Sequence, residues 1–127
     1  MTVLLLVDDD EMSREGIGTR LTRLGYTVIM AADAKEGIDA ARSESPDLIL
    51  MDLAMPQMDG FEATKRLKAD SKTAHIPIVA LTALKTAEDV QRAHQAGCDS
   101  FHTKPVNLTS LHTKIRSLVS TALHQGR

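Results

Sequence analysis

The sequence predicts an α/β domain in which helices cover both faces of a parallel sheet. Short apolar segments alternate with segments of helical periodicity along the chain, as in repeated βα units. Two of the apolar segments, "VLLLV" and "LILM", are apolar at every position, which is typical of strands buried on both faces. Right-handed crossovers between parallel strands then place helices on both sides of the sheet.

The apolar segments predict five strands. The last one is the least apolar and therefore the weakest prediction. The strands are expected at residues 3–7, 28–31, 48–51, 78–81 and 100–103.

Apolar side chains at helical spacing predict the helices that follow the strands. The stripe of the fourth helix is thin, because two of its three members are alanines. The stripes are Ile17, Leu21 and Leu24 in the first helix, Phe61, Thr64 and Leu67 in the third, Val90, Ala93 and Ala96 in the fourth, and Leu111, Ile115, Leu118 and Ala122 in the fifth.

Capping residues and helix breakers mark where these helices begin and end. Asp10 and Glu11 are expected at the start of the first helix, where acids complement the helix dipole. The other expected starts are Asp33 with Glu36, Asp59-Gly60, Thr86 with Asp89, and Asn107, and the expected ends are Gly25, Ser45-Pro46 and Gly97.

Composition argues against several classes of function. The net charge is -2 and there is no run of Lys or Arg, so no nucleic-acid surface is expected. Cys98 is the single cysteine, which excludes a disulfide within the chain and a cysteine-based zinc site. No segment has the length of a membrane span or the form of a signal peptide, so a cytoplasmic protein without membrane contact is expected.

Polar residues follow four of the predicted strands directly or closely. In open α/β sheets, ligands bind outside the carboxyl ends of the strands. These side chains should therefore meet at one rim of the sheet. They are Asp8 and Asp9, Asp52, Thr82, and Lys104.

This set resembles the receiver domain of two-component response regulators. The order and spacing match along the whole chain, including "MP" after the third strand and "DG" before the third helix. The resemblance implies a flavodoxin-like fold, with five parallel strands in the order 2-1-3-4-5 and five helices on both faces. It also implies that residues 1–127 form a single receiver (response regulatory) domain, with no output domain expected.

The resemblance implies a divalent metal site, with Mg²⁺ as the cofactor and Mn²⁺ as an alternative. Asp9 and Asp52 would be direct ligands together with the backbone carbonyl of Ala54, whereas Asp8 would act through a bound water. Mg²⁺ prefers oxygen ligands and usually keeps several waters. Without an ion, crowding should raise the pKa of at least one of Asp8 and Asp9.

The same resemblance makes Asp52 the phospho-acceptor and nucleophile. The phosphoryl donor would be a phosphohistidine of a sensor histidine kinase or a histidine phosphotransfer protein. Lys104 would supply positive charge, while the Thr82 hydroxyl and the backbone N–H of Ala83 would donate to phosphoryl oxygens. The protein would then not be a conventional enzyme, although it would catalyse its own phosphorylation and dephosphorylation at Asp52.

Thr82 and Phe101 would be the switch residues of such a receiver. Movement of Thr82 would let Phe101 turn inward, so that the surface of the fourth helix, fifth strand and fifth helix reports the change to a downstream protein. The peptide bond between Lys104 and Pro105 is usually cis in the family. Ala54 and Leu84 lack polar groups that could hold an attacking water, which predicts slow loss of the phosphoryl group.

Two alternatives remain open at this point. The chain could be a receiver from a larger hybrid histidine kinase, with the same chemistry. A haloacid-dehalogenase-like phosphatase would also place an Asp-x-Asp pattern after its first strand, as Asp8 and Asp10 do here. Glu11-Met12 and the absence of a late acidic pair argue against that second alternative.

Overall fold

The computed structural model describes residues 1–83 and 86–124, with side chains described to residue 120. Strands and helices alternate through this part of the chain, as the sequence predicts. They are β1 Val3–Val7, α1 Glu11–Arg23, β2 Thr27–Ala31, α2 Ala34–Glu44, β3 Leu48–Met51, α3 Gly60–Ala69, β4 Ile78–Thr82, α4 Ala87–Ala96, β5 Ser100–Thr103 and α5 Leu108–His124.

The strands form one parallel sheet in the order β2-β1-β3-β4-β5. This order confirms the fold that the resemblance implied. Val7, the last residue of β1, is in register with Met51, the last residue of β3. The residues that follow these two strands therefore emerge side by side at the carboxyl rim of the sheet.

Alternate residues of each central strand pack into two separate hydrophobic clusters. Leu5 and Val7 join the cluster beneath α2, α3 and α4, whereas Leu4 and Leu6 join the cluster beneath α1 and α5. All four side chains have no exposed surface. This two-sided burial is the reason that "VLLLV" has no polar position.

The helix ends agree with the capping signals. Asp33, Asp59 and Thr86 are N-caps, and each side chain accepts a hydrogen bond from a backbone N–H in the first helical turn. Ser45 and Gly97 end α2 and α4 in the left-handed conformation. In the described part of the chain, no helix is long and apolar enough to cross a membrane.

Two members of the predicted apolar stripes differ from the expectation. Leu24 is 43% exposed because α1 ends at Arg23, one residue earlier, and Leu24 is its C-cap. Val90 is 41% exposed, so that α4 buries only Ala93 and Ala96. The fourth helix is thus held to the sheet by small side chains.

Candidate metal centre

Three carboxylates converge at the carboxyl rim of the sheet. Asp8, Asp9 and Asp52 each place one carboxylate oxygen so that the three oxygens lie within 4.8 Å of one another. Their meeting follows from the register of β1 and β3, because Asp8 and Asp52 follow paired residues. Asp8 is fully buried, Asp52 is 7% exposed, and Asp9 faces solvent.

Asp8 is held in place by four donors. Oδ1 accepts the backbone N–H of Asp10 at 2.9 Å, and Oδ2 accepts the Ser13 hydroxyl and Lys104 Nζ, each at 2.8 Å. The backbone carbonyl of Asp8 accepts a guanidinium N–H of Arg14 at 2.7 Å. A buried carboxylate with this many partners keeps its position and its charge.

The pKa of Asp8 lies below its ordinary value. Burial alone would raise the pKa, but hydrogen bonds from Lys104, from the Asp10 N–H and from Ser13 outweigh it. For Asp8 this is opposite to the direction expected from crowding, because the sequence does not show that the Lys104 ammonium reaches Asp8 directly.

The pKa of Asp52 is raised to about 6. Burial is the main cause, and the neighbouring Asp8 adds to it, while Lys104 and the backbone N–H of Ala54 act in the opposite direction. Asp52 Oδ1 accepts that Ala54 N–H at 3.1 Å, and Oδ2 lies 3.6 Å from Lys104 Nζ. An ionised Asp52 is therefore short of positive charge in this structure.

The side chain of Lys104 places a positive charge in the site. Burial would lower its pKa, but the hydrogen bond to Asp8 and the charge of Asp52 raise it above the ordinary value. Its backbone N–H donates to the carbonyl of Thr82 at 2.8 Å, which ties the residues after β5 to the end of β4. The peptide bond between Lys104 and Pro105 is cis, and Pro105 is exposed.

The remaining residues named from the sequence lie around this cluster. Thr82 is fully buried at the end of β4, and Ala83 after it is exposed. Ala54 is exposed two residues after Asp52. Phe101 is half-buried against the cluster beneath α2, α3 and α4. Leu84, which was expected to flank the attacking water, lies outside the described residues.

The acidic run after β1 divides into two parts. Asp8 and Asp9 belong to the carboxylate cluster, whereas Asp10 is the N-cap of α1 and accepts the N–H groups of Met12 and Ser13. Glu11 is the first residue of the helix. The predicted helix start is thus confirmed.

Gly60 lets α3 begin directly against the end of β3. A Cβ atom at this position would collide with the backbone carbonyl of Asp52 and with the Cα atom of Leu53, which lies 2.7 Å from it. The N–H of Gly60 donates to the carbonyl of Leu53 at 3.1 Å. The glycine of the "DG" pair is therefore required by the close approach of two backbones.

Sequence reasoning missed Ser13 and Arg14. Both contact Asp8 from the first turns of α1, Ser13 through its carboxylate and Arg14 through its carbonyl. Once Asp10 is recognised as the N-cap, Ser13 is the third residue of the helix, and that position faces back toward the strand end. The capping signal could therefore have pointed to Ser13.

The donor set suits a hard divalent cation. Carboxylate oxygens alone make up the cluster, and a backbone carbonyl, that of Ala54, lies two residues from Asp52. Mg²⁺ and Mn²⁺ prefer such oxygen ligands, whereas softer metals prefer sulfur and nitrogen. The residues present therefore fit a site for a hard cation, and the nearby Lys104 and Thr82 add donors suited to an anion.

Known proteins are similar to this chain in fold and in sequence. The response regulator receiver domain family matches residues 4–116. The polar-differentiation response regulator DivK of Brucella anthropi is 34% identical over 119 residues, which covers 94% of this chain and 97% of that protein. A CheY-like receiver domain protein from Methanospirillum hungatei has a TM-score of 0.92 at 28% identity and covers 99% of both chains.

A further solved structure has an occupied metal site. The receiver domain of the sensor histidine kinase PA1611 from Pseudomonas aeruginosa is 31% identical, with a TM-score of 0.88, and covers 94% of this chain and 98% of that one. That structure has a magnesium ion coordinated in the active site cleft.

A parallel sheet of this strand order, with an acidic cluster and a lysine at its carboxyl rim, defines a signalling domain of the CheY-like class. The chain belongs to the response regulator receiver domain family of two-component systems.

Proposed function

We propose that this receiver takes a phosphoryl group from a phosphohistidine onto Asp52 in an Mg²⁺-dependent reaction, with Mn²⁺ as an alternative ion. The donor is a sensor histidine kinase or a histidine phosphotransfer protein. The observation that carries the proposal is the meeting of three carboxylates within 4.8 Å of one another beside the Lys104 ammonium.

Asp52 is the nucleophile. One carboxylate oxygen forms a bond to phosphorus while the phosphorus–nitrogen bond to the donor imidazole breaks, and the imidazole leaves with the electron pair. The raised pKa of Asp52 indicates that its charge is poorly stabilised in the free protein. A bound Mg²⁺ would supply the positive charge that offsets repulsion between this carboxylate and the anionic phosphoryl group.

The other residues of the site have separate roles. Asp9, Asp52 and the Ala54 carbonyl would hold the cation directly, and Asp8 would do so through water. Lys104 provides an ammonium 3.6 Å from Asp52 Oδ2. Thr82 and the backbone N–H of Ala83 donate to phosphoryl oxygens. The receiver thereby promotes its own phosphorylation and, with water as the attacking group, its own dephosphorylation.

The signal leaves through the surface formed by α4, β5 and α5. Thr82 ends β4 in register with Thr103 of β5. Phe101, two residues earlier on β5, is in register with Ala80 and packs partly against the core. A shift of Thr82 toward the phosphoryl group changes the space open to Phe101, and a downstream protein binds the altered surface. The chain is similar both to the response regulator DivK and to the receiver domain of the sensor histidine kinase PA1611.

Intact-mass spectrometry after incubation with acetyl phosphate and Mg²⁺ tests the phosphorylation. The wild type should gain one phosphoryl group, and Asp52→Asn should gain none. Asp10→Asn is the matched control, because Asn caps a helix as well as Asp and Asp10 lies outside the carboxylate cluster. This control should label as the wild type does, and chelation of Mg²⁺ should abolish labelling.

Equal labelling of the wild type and Asp52→Asn would contradict the proposal. Continuous release of phosphate from a small phosphate ester, without a labelled protein, would instead favour the phosphatase alternative. The family match supports the receiver.

A further inference from the structure

Two donors share one oxygen of Asp8. The Ser13 hydroxyl and Lys104 Nζ both donate to Oδ2 at 2.8 Å, while Oδ1 accepts the backbone N–H of Asp10 at 2.9 Å. Asp8 has no exposed surface. Bulk water therefore cannot replace a donor that leaves Oδ2. The free-energy cost of losing one donor is smaller when the other donor stays.

Lys104 is the donor that has to leave. Its ammonium is hydrogen-bonded to Asp8 at 2.8 Å but lies 3.6 Å from Asp52 Oδ2. Under the proposed function, the ammonium turns from Asp8 toward the phosphoryl group on Asp52. That movement separates Lys104 from a buried carboxylate.

Ser13 does not share this movement. It lies in the first turn of α1, and its backbone N–H donates to the N-cap Asp10 at 3.3 Å. Arg14, the next residue, donates to the carbonyl of Asp8 at 2.7 Å and fixes the other end of the same residue. Lys104 follows β5, on a different part of the fold.

We propose that Ser13 is a positioning residue that keeps Oδ2 of Asp8 hydrogen-bonded while the Lys104 ammonium moves to the phosphoryl group. This inference rests on the proposed function, since it assigns a residue to the movement of Lys104 during transfer. Without the hydroxyl, Lys104 is the remaining protein donor to this oxygen among the described residues, so Asp8 retains the ammonium more strongly. Phosphorylation should then be slower although the nucleophile is intact.

The first test compares rate constants for labelling by acetyl phosphate at saturating Mg²⁺. Ser13→Ala should label about tenfold more slowly than the wild type, which is the effect of one hydrogen bond to a charged group. Ser13→Thr keeps the hydroxyl and should restore most of the rate. Ser43→Ala is the matched control, because Ser43 is exposed on α2 and its hydroxyl donates to the carbonyl of Ala40 at 3.5 Å, away from the site.

A double-mutant cycle asks whether Ser13 acts through Lys104. Lys104→Ala should lower the rate, and adding Ser13→Ala to it should cause no further decrease. An equal decrease in both backgrounds would overturn the proposal, because it would show an effect independent of the ammonium. Ser13→Val against Ser13→Thr gives a second pair of nearly equal size if Ser13→Ala does not fold.

A measurement of cation affinity distinguishes a positioning role of Ser13 from a role in metal binding. Mn²⁺ affinity, measured by electron paramagnetic resonance, should differ by at most about twofold between the wild type and Ser13→Ala, because Asp8 would hold the cation only through water. Loss of a hydrogen-bond partner of a direct ligand typically costs about 10- to 100-fold. A tenfold weakening would assign Ser13 to the metal site and overturn the proposal. Absence of label on the wild type would refute the proposed function itself, whereas equal rates for the wild type and Ser13→Ala would refute only the role of Ser13.

Discussion

Asp52 carries its charge in surroundings that oppose it. The side chain is buried beside Asp8, and Lys104 Nζ is closer to Asp8 than to Asp52. Burial and the Asp8 carboxylate raise the pKa of Asp52 more than Lys104 and the Ala54 N–H lower it. A residue of this kind lowers the stability of the free protein in exchange for reactivity toward a cation and an electrophile.

Replacing Asp52 by Asn should stabilise the cation-free protein at pH 7, by up to about 3 kcal/mol at roughly 1.4 kcal/mol per pKa unit. The pKa of Asp52 rises from 3.8 to about 6 on folding, so the folded state binds more protons in that window. The contribution of Asp52 to stability therefore falls as the pH rises through the window. Urea unfolding in EDTA from pH 4 to 8 measures the free energy of unfolding of both proteins. The difference between Asp52→Asn and the wild type should shrink toward pH 4.

Addition of Mg²⁺ provides the control for this prediction. The cation should stabilise the wild type by mass action and should stabilise Asp52→Asn much less. If the variant is no more stable than the wild type in EDTA at pH 7, the proposed burial cost of Asp52 is wrong.

Gly60→Ala should destabilise the protein by about 1–3 kcal/mol, the usual cost of forcing an atom into a packed site. The added methyl group would meet the backbone of Asp52 and Leu53, which cannot rotate away as a side chain can. Gly16→Ala is the matched control, because a Cβ there has no neighbour within 4 Å and alanine favours the helix. Thermal unfolding of both variants measures the difference, and equal effects would contradict this account.

At the scale of the elements, contacts of individual side chains link neighbouring helices and strands around the site. Arg92 of α4 lies 3.9 Å above the ring of Phe61 and pairs with Asp59, the N-cap of α3, at 3.5 Å. Lys114 of α5 donates to the carbonyl of Phe101 at 2.8 Å and contacts His102 Nδ1 at 3.2 Å. These contacts connect α4 to the segment after Asp52 and α5 to the strand that carries Phe101.

His102→Gln should reduce the loss of stability between pH 7.5 and 5.5. Burial lowers the pKa of His102, and the positive charge of Lys114 lowers it further. The unfolded chain therefore takes up a proton near pH 6.5 that the folded protein resists, and stability falls as the pH drops through that value. Glutamine does not take up a proton in this range, so the stability of the His102→Gln protein should decline less as the pH falls.

Denaturant unfolding of both proteins at each pH measures the effect of His102→Gln. His75→Gln is the control, because His75 is exposed, and it should follow the wild type. Parallel pH profiles for the wild type and His102→Gln would show that His102 does not titrate differently in the folded state.

At the scale of the whole molecule, the buried strands form a frame that fixes the site, while α4 is attached more weakly. Its buried side chains are Ala93 and Ala96, which offer little apolar surface. Elements with few buried contacts open at low free-energy cost. A change at the carboxyl rim can therefore alter α4 without disturbing the central strands.

Phosphorylation should change amide hydrogen exchange within residues 86–105 and leave β1 and β3 unchanged. The reason is that α4 and β5 adjoin Thr82 and Lys104, whereas β1 and β3 are buried on both faces. Exchange followed by mass spectrometry, with Asp52→Asn under the same conditions as the control, measures the difference. Unchanged exchange in residues 86–105 would contradict the proposed output surface.

The sequence by itself predicted the elements and the side chains that meet at the carboxyl rim of the sheet. Buried parallel strands require uninterrupted apolar runs, and helix ends require specific capping residues, so both leave a local record in the chain. The strand bounds at residues 3–7, 48–51 and 100–103 agree with the structure. The motif residues also lie one after another at strand ends, where their spacing is visible.

Only the tertiary structure decided how these residues are paired. That Lys104 donates to Asp8 rather than Asp52, and that Ser13 shares the same oxygen, depends on contacts between distant segments. The opposite pKa shifts of Asp8 and Asp52 follow from those contacts and from burial. Charge interactions vary with distances of an ångström, and a linear pattern of residues does not contain such distances.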